Sequence, residues 1–354
     1  MKKREIWIFN LTHACKFIFK LMFDSLKYFG VVFFLFLLFS NYSNSSTQNQ
    51  DQTFDDWLSS YKIYAHNEGV SKETINLVFK NVKFLDNVIK YDRKQPEFYE
   101  DTLTYVNKRA NKFRVQQAKN KYIKNKNLLD QVEREFKVQK EILLSLWGIE
   151  TNYGKHVGKM DIISSLATLS FDKRRRDFFS SELLILLKLI DKNLIDPKTL
   201  YGSWAGAYGN FQFMPSTINS YAIDYDKNNK IELKTSIFDS LASAANYISK
   251  IGWKFDEPCF YRVKLNKDIH KRYINSSARN IKNRLSINKW KKKGIVNFDG
   301  SDLSLNYNAA LILPDGKKNT PAYLVFQNYE RILKWNRSLR FAISVCTLAQ
   351  KIKL

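Results

Sequence analysis

The sequence predicts a mainly α fold with a smaller mixed α/β segment toward its C-terminal end. Two observations carry this reading. From Phe54 to about Ile251, apolar residues recur at helical spacing, with Ser71 and Asp239 placed as helix caps. From residue 255 onward, Lys/Arg-rich stretches enclose short runs of β-branched and aromatic residues. With 354 residues, 44% of them hydrophobic, the chain can bury the core of one large domain or two modest ones.

The N-terminus comes first in order. Residues 1–28 are basic and mixed, the run 29–39 is apolar, and Ser and Asn dominate residues 40–46. This is the pattern of a secretory signal. The apolar run is short of the roughly 20 residues of a spanning helix, although residues 15–39 together could serve as an uncleaved anchor. Residues 1–46 are therefore read as a signal peptide or N-terminal anchor and 47–53 as a linker. Either way the bulk of the chain is exported, with the periplasm as its expected location and membrane association expected only through the N-terminus. Export sets nucleic acid aside as the partner for a net charge of +24, which suits anionic lipid or acidic wall polymers, or reflects a general abundance of Lys.

Helices are expected over 54–65, 72–80, 101–122, 131–150, 177–190 and 239–251. In 131–150, Ile142, Leu146 and Ile149 share one face, and Gly148 and Gly154 crowd the end beside Glu150. In 239–251, Ala242, Ala245 and Ile248 face inward. Strand-like runs lie at 259–265, 309–313 and 322–326. Pro314-Asp315-Gly316 is a turn between the last two, and a final helix covers 339–351. No internal repeat is visible. Of three cysteines, Cys15 lies in the leader; a disulfide between Cys259 and Cys346 is left open, and no paired metal-ligand spacing is present.

Four segments concentrate Trp, Gly, Tyr and polar residues. They are Tyr91-Asp92-Arg93-Lys94-Gln95-Pro96-Glu97-Phe98 with Tyr105, then Trp147-Gly148-Ile149-Glu150-Thr151-Asn152-Tyr153-Gly154 with 166–169, the Gly-rich stretch 202–216, and Ala244-Ala245-Asn246-Tyr247 with Gly252-Trp253. Asn336-Arg337-Ser338 is a weaker fifth. Cleaving a glycosidic bond needs a carboxylic acid of raised pKa to protonate the leaving oxygen. Glu150, flanked by Trp147, Ile149 and Tyr153, has a suitable apolar setting; the plainer reading is a helix-end carboxylate held by a lysine. Ordinary hydrolases need a second carboxylate, and 202–216 contains none, while Asp161 and Asp172 sit outside any sugar-binding type of segment. A phosphate loop at 202–209 is disfavoured because no Gly-Lys-Ser/Thr ending is present.

In this order and spacing the segments resemble the lytic transglycosylase B family, whose members cleave murein, over roughly residues 54–350. The resemblance implies a lysozyme-like catalytic core near 130–255 and a C-terminal segment over 256–350. It implies peptidoglycan glycan strands as partner and Glu150 acting as acid and then as base, with a 1,6-anhydromuramic product and no required cofactor. Ser203 and Gln212 would bind sugar groups, and Tyr105, Tyr247 and Asn336 would line the groove. Trp335 and Phe341 stand where relatives tend to have Tyr. Some relatives carry a calcium loop, here matched by Asp224, Asp226, Asn228, the Lys230 carbonyl and Asp239. Asn229 replaces the turn Gly, Asn228 lowers the ligand charge, and the spacing to Asp239 is longer, so a polar loop without metal is the alternative. A catalytically silent wall-binding scaffold and a hydrolytic muramidase are the competing readings of the whole.

Overall fold

The computed structural model describes residues 52–93, 100–304, 307–316 and 320–354. The expected leader, the linker up to residue 51 and residues 94–98 of the first motif lie outside the described residues. The helical part opens with α1 (Phe54–Asn67), α2 (Lys72–Phe79) and α3 (Asp86–Arg93). Ser71 caps α2 as expected, its Oγ accepting the Thr74 N–H at 3.2 Å. The stretch read as one helix over 101–122 is two, α4 (Thr102–Arg109) and α5 (Lys112–Lys124). Asn111 divides them, because its side chain accepts the Arg114 N–H and starts a new helix. The stretch read over 131–150 is likewise divided into α6 (Lys126–Phe136) and α7 (Lys140–Thr151) by Lys137, which adopts φ +54°.

Helix α7 is more enclosed than its periodicity suggests. Every residue from Ile142 to Gly148 is buried, so this is a central helix rather than an amphipathic one. It packs against the last helix of the chain, Leu339–Ile352, and carries Glu150 at its last turn. Beyond it come β1 (Met160–Asp161), α8 (Ile162–Phe171), α9 (Arg176–Asp191), β2 (Tyr201–Gly202), α10 (Pro215–Tyr221) and α11 (Ile237–Lys250). β1 and β2 pair antiparallel, Met160 opposite Gly202, and so lay the segment after Glu150 beside the Gly-rich stretch. The cap of α11 is Ser236, whose Oγ accepts the Asp239 N–H at 3.2 Å; Asp239 is not the cap but lies inside the first turn.

The C-terminal part holds β3 (Phe260–Leu265), β4 (Ile274–Asn275), β5 (Leu285–Ser286), α12 (Ile287–Lys292), β6 (Ile295–Asn297), β7 (Asn308–Ile312), β8 (Ala322–Val325), α13 (Gln327–Trp335) and α14 (Leu339–Ile352). The sheet order is β4-β7-β8-β3-β6, with β5 pairing β7; only β4 and β7 run parallel. The Pro314-Asp315-Gly316 turn is present, Gly316 donating its N–H to the Leu313 carbonyl at 3.0 Å with φ +66°. β7 and β8 explain their unbroken apolar runs. Ala310, Ile312, Tyr323 and Val325 join the main helical core, while Ala309, Leu311, Ala322 and Leu324 form a second, smaller one. A strand buried on both faces has no polar side to alternate with. A disulfide joins Cys259, at the root of β3, to Cys346 in α14, 87 residues later, fixing sheet to helices. Among the described residues no helix is long and apolar enough to cross a membrane.

Candidate active site

Glu150 stands one residue before the end of α7, half-buried, where a helix usually frays. Here the end is fixed. Asn152, Tyr153 and Gly154 take φ of +50°, +60° and +84°, reversing the chain. The Tyr153 N–H returns to the Trp147 carbonyl at 3.2 Å and the Asn152 N–H to the Gly148 carbonyl at 3.1 Å, satisfying the last carbonyls of the helix. The Tyr153 ring then folds back over Gly148. A Cβ on Gly148 would lie 2.6 Å from that ring, so only glycine fits. The Tyr153 hydroxyl donates to the Arg114 carbonyl at 2.8 Å, and burial raises its pKa.

The stretch 202–216 is bolted to this turn through Asn210, a residue that sequence reasoning passed over. Its Oδ1 accepts the Trp147 indole N–H at 3.0 Å, and its carbonyl accepts the Thr151 hydroxyl at 2.8 Å. Its Nδ2 donates to the Leu233 carbonyl and to Ser240 Oγ, both at 3.2 Å. Ser203 folds the loop locally: its Oγ accepts the N–H groups of Ala205 (3.2 Å) and Ala207 (2.9 Å), leaving the hydroxyl proton to donate. Gln212 has φ +51°, rare for such a residue. Its Nε2 donates to the carbonyls of Gly209 (2.9 Å) and Val157 (3.2 Å), which leaves Oε1 to accept. Val157 follows Glu150 by seven residues, so Gln212 contacts the segment leaving the acid.

Trp335, at the end of α13, donates its indole N–H to Glu150 Oε1 at 2.9 Å. The ring is held in an aromatic stack. Tyr247 lies parallel to it with centroids 5.1 Å apart, and Tyr221 stacks on Tyr247 at 4.5 Å. Phe213 and Phe211 meet Trp335 edge-on at 5.2 and 6.2 Å. The structure thus brings Tyr247 to the acid's immediate partner; burial, then Tyr221, pushes its phenol up to about 12. Asn336 follows Trp335 and closes α13, its N–H donating to the Ile332 carbonyl. Tyr105 is placed differently from an open groove wall. It is only 3% exposed, with the Arg109 guanidinium 3.3 Å from its ring centroid.

The carboxylates that follow Glu150 in the sequence have other partners. Asp161 caps α8, accepting the Ser164 N–H. Asp172 pairs with Arg93 at 2.8 Å, which holds its carboxyl below the ordinary range against the opposing effect of burial. Buried Glu182 accepts the Ser216 N–H at 2.8 Å and hydroxyl at 2.6 Å, anchoring the start of α10. A separate acidic group forms where Asp224, Asp226 and Asp239 bring carboxylate oxygens within 4.8 Å of one another. Asp239 is fully buried and accepts the N–H groups of Tyr225 (2.8 Å) and Glu232 (2.9 Å). Burial raises its pKa and Asp226 adds to this, against those two donors. Asn229 takes φ +68°, as the turn requires. Asn228 and Lys230 are exposed, and the Asn228 Oδ1 accepts the Lys230 N–H at 2.9 Å.

A family model described as a transglycosylase SLT domain matches residues 53–350. Membrane-bound lytic murein transglycosylase B of Escherichia coli strain K12 is 31% identical over 232 residues, covering 64% of this chain. The match spans 60% of that relative's length. SltB3 of Pseudomonas aeruginosa, solved in complex with NAG-NAM-pentapeptide, superposes with a TM-score of 0.79 at 32% identity, over 85% of this chain and 80% of that one. The same enzyme in complex with NAG-anhNAM-pentapeptide gives 0.78. Escherichia coli lytic transglycosylase Slt35 in complex with calcium gives 0.71 at 26% identity, over 83% of this chain and 92% of that one.

Replacing Asn210 tests the frame around Glu150. Asn210→Ala strands the buried Trp147 N–H, while the Leu233 carbonyl keeps the backbone N–H of residue 210 and the Ser240 hydroxyl. The substitution is expected to cost roughly 1–3 kcal/mol. Urea unfolding followed by tryptophan fluorescence measures this; an unshifted midpoint would show that the bridge carries no stability.

Proposed function

Because the chain belongs to the transglycosylase SLT domain family, we propose that it is an exported lytic transglycosylase that cleaves the β-1,4 bond between N-acetylmuramic acid and N-acetylglucosamine in peptidoglycan. The observation that carries this reading is Glu150 on a fixed helix end, hydrogen-bonded by Trp335. Glu150 protonates the glycosidic oxygen as the bond to the anomeric carbon breaks. The substrate's N-acetyl group stabilises the positive charge at that carbon. Glu150, now ionised, takes the proton from the sugar's 6-hydroxyl, whose oxygen closes on the anomeric carbon. A 1,6-anhydro sugar results and no water is consumed. The anhydro sugar bound in the SltB3 complex supports this route over hydrolysis.

Residues of the chain divide the work. An indole N–H only donates, so Glu150 Oε1 must act as acceptor and the transferred proton sits on Oε2. Ser203 offers a hydroxyl proton and Gln212 an amide oxygen, a donor and an acceptor suited to an acetamido group and a sugar hydroxyl. Tyr247 and Asn336 flank Trp335 and line the groove, and Tyr105 contributes from beneath its Arg109 cover. The converging acids Asp224, Asp226 and Asp239 fit a calcium ion, as Slt35 binds, with Asn228 and the Lys230 carbonyl completing the set. That ion would supply charge neutralisation and hold the loop that starts α11; it takes no part in the reaction. The relative named as membrane-bound supports a place in the cell envelope, reached by the N-terminal leader.

Three outcomes follow. Incubating the protein with murein sacculi should release anhydro-muropeptides, identified by mass, and Glu150→Gln should abolish release. Reducing-end products would sink the mechanism, and binding without release would leave a scaffold. Trp335→Phe keeps an aromatic ring in the stack but deletes the N–H, and should lower kcat about tenfold with KM little changed; an unchanged kcat removes Trp335 from the mechanism. Calcium against chelator should raise the melting temperature by roughly 3 °C or more, an increment lost in Asp239→Asn. Equal melting in both conditions argues for a metal-free loop.

A further inference from the structure

A cavity of about 910 Å³ lies in the C-terminal part, where the end of the sheet meets the first turn of α4. Its lining carries four cations, Arg262, Lys264, Lys267 and Lys271, against a single acid, Asp268. Arg262 and Lys264 alternate along β3 and so share a face of the sheet. Both lie over the Phe298 ring, at 3.7 and 4.8 Å from its centroid. Among the described residues none of the four forms an ion pair, and the buried Arg262 Nε has no hydrogen-bond partner. Four cations against one lining acid leave an excess of like charge that repels itself, and a buried donor left unpaired is costly. An anion in the cavity relieves the repulsion.

The exposed apolar side chains of Leu103 and Phe298 lie among the cations of the lining. A lone phosphate would leave those apolar surfaces and most of the volume unused. A short peptide with carboxylates and small aliphatic side chains matches both the charge and the apolar patches, and several residues fill a volume of this size. We propose that this cavity is a binding site for a carboxylate-bearing peptide, the stem peptide of murein. It lies apart from the residues that surround Glu150. The assignment of that particular peptide rests on the murein reading given above. The site would hold the enzyme to peptide-bearing wall while a glycan strand is cut elsewhere on the molecule.

Calorimetry on the full chain carrying Glu150→Gln tests this without turnover. The probes are a free murein tripeptide of alanine, γ-linked glutamate and diaminopimelate, the same peptide with its carboxylates amidated, inorganic phosphate, and vesicles of phosphatidylglycerol. The tripeptide should bind with an affinity that falls as salt rises, and the amidated peptide should not. Lys264→Glu combined with Lys271→Glu should weaken binding about tenfold or more, and Lys264→Ala, the milder variant, should weaken it without lowering the melting temperature. Absence of tripeptide binding, equal binding of the amidated form, or binding of phosphate or vesicles in its place each overturns the proposal. Cleavage of peptide-free glycan strands by the wild-type chain is measured beside it. If those strands yield anhydro products but the tripeptide does not bind, the cavity assignment falls alone. If the tripeptide binds but no strand is cut, the enzymatic reading falls and the peptide site stands.

Discussion

The candidate site depends on one side chain, Asn210. Its amide oxygen and its backbone carbonyl hold Trp147 and Thr151, the residues on either side of Glu150, while its amide nitrogen reaches Leu233 and Ser240. Three segments distant in sequence therefore share one buried polar hub. Thr151 extends it: the hydroxyl that donates to Asn210 also accepts the Gly154 N–H at 3.0 Å. A Cβ on Gly154 would lie 2.7 Å from the Asn210 amide oxygen, so the turn and the hub require each other. Burial makes these bonds strong when complete and costly when broken. The last turn of α7 is thereby tied to the Gly-rich stretch and to α11 on both sides of Glu150.

The same hub connects the site to the acidic loop. Leu233 and Ser240 flank the start of α11, and Asp239 in that first turn holds the N–H groups of Tyr225 and Glu232. A cation among Asp224, Asp226 and Asp239 would brace α11, and through Asn210 that bracing reaches the end of α7. The route is one of stiffness, a chain of bonded elements, and requires no second conformation.

Much of this could be read in the sequence because local chemistry sufficed. Ser71 as a cap, the Pro314–Gly316 turn and the apolar runs of β7 and β8 each express a backbone requirement within a few residues. What was missed depended on partners far along the chain. Asn210, between Gly209 and Phe211, looks like one more turn residue; its neighbours Phe211 and Phe213 were the available sign that it is buried. Asp239 read as a cap because it stands near a helix start, yet Ser236 supplies the extended backbone and the closer oxygen, freeing Asp239 to reach back into the loop. Lys137 gave no sign that it would take positive φ and divide the helix, since lysine rarely does. The cover over Tyr105 was equally out of sight: Arg109, one turn on, lies across its ring.

Trp335 bears most directly on how one carboxylate can serve twice. An acid that later acts as a base must hand over a proton and recover one at the same place, or the two steps lose their alignment. A tyrosine beside Glu150 could donate a hydrogen bond or accept one, and would permit the proton to sit on either oxygen. On the proposed route the indole, having no acceptor, keeps Oε1 hydrogen-bonded in both protonation states and leaves the proton exchange to Oε2. Tyr247, Phe213 and Phe211 prevent the ring from turning away. On the proposed route an indole N–H at this position fixes the assignment of the two carboxylate oxygens where a hydroxyl would leave it open, which suits a single-residue acid and base.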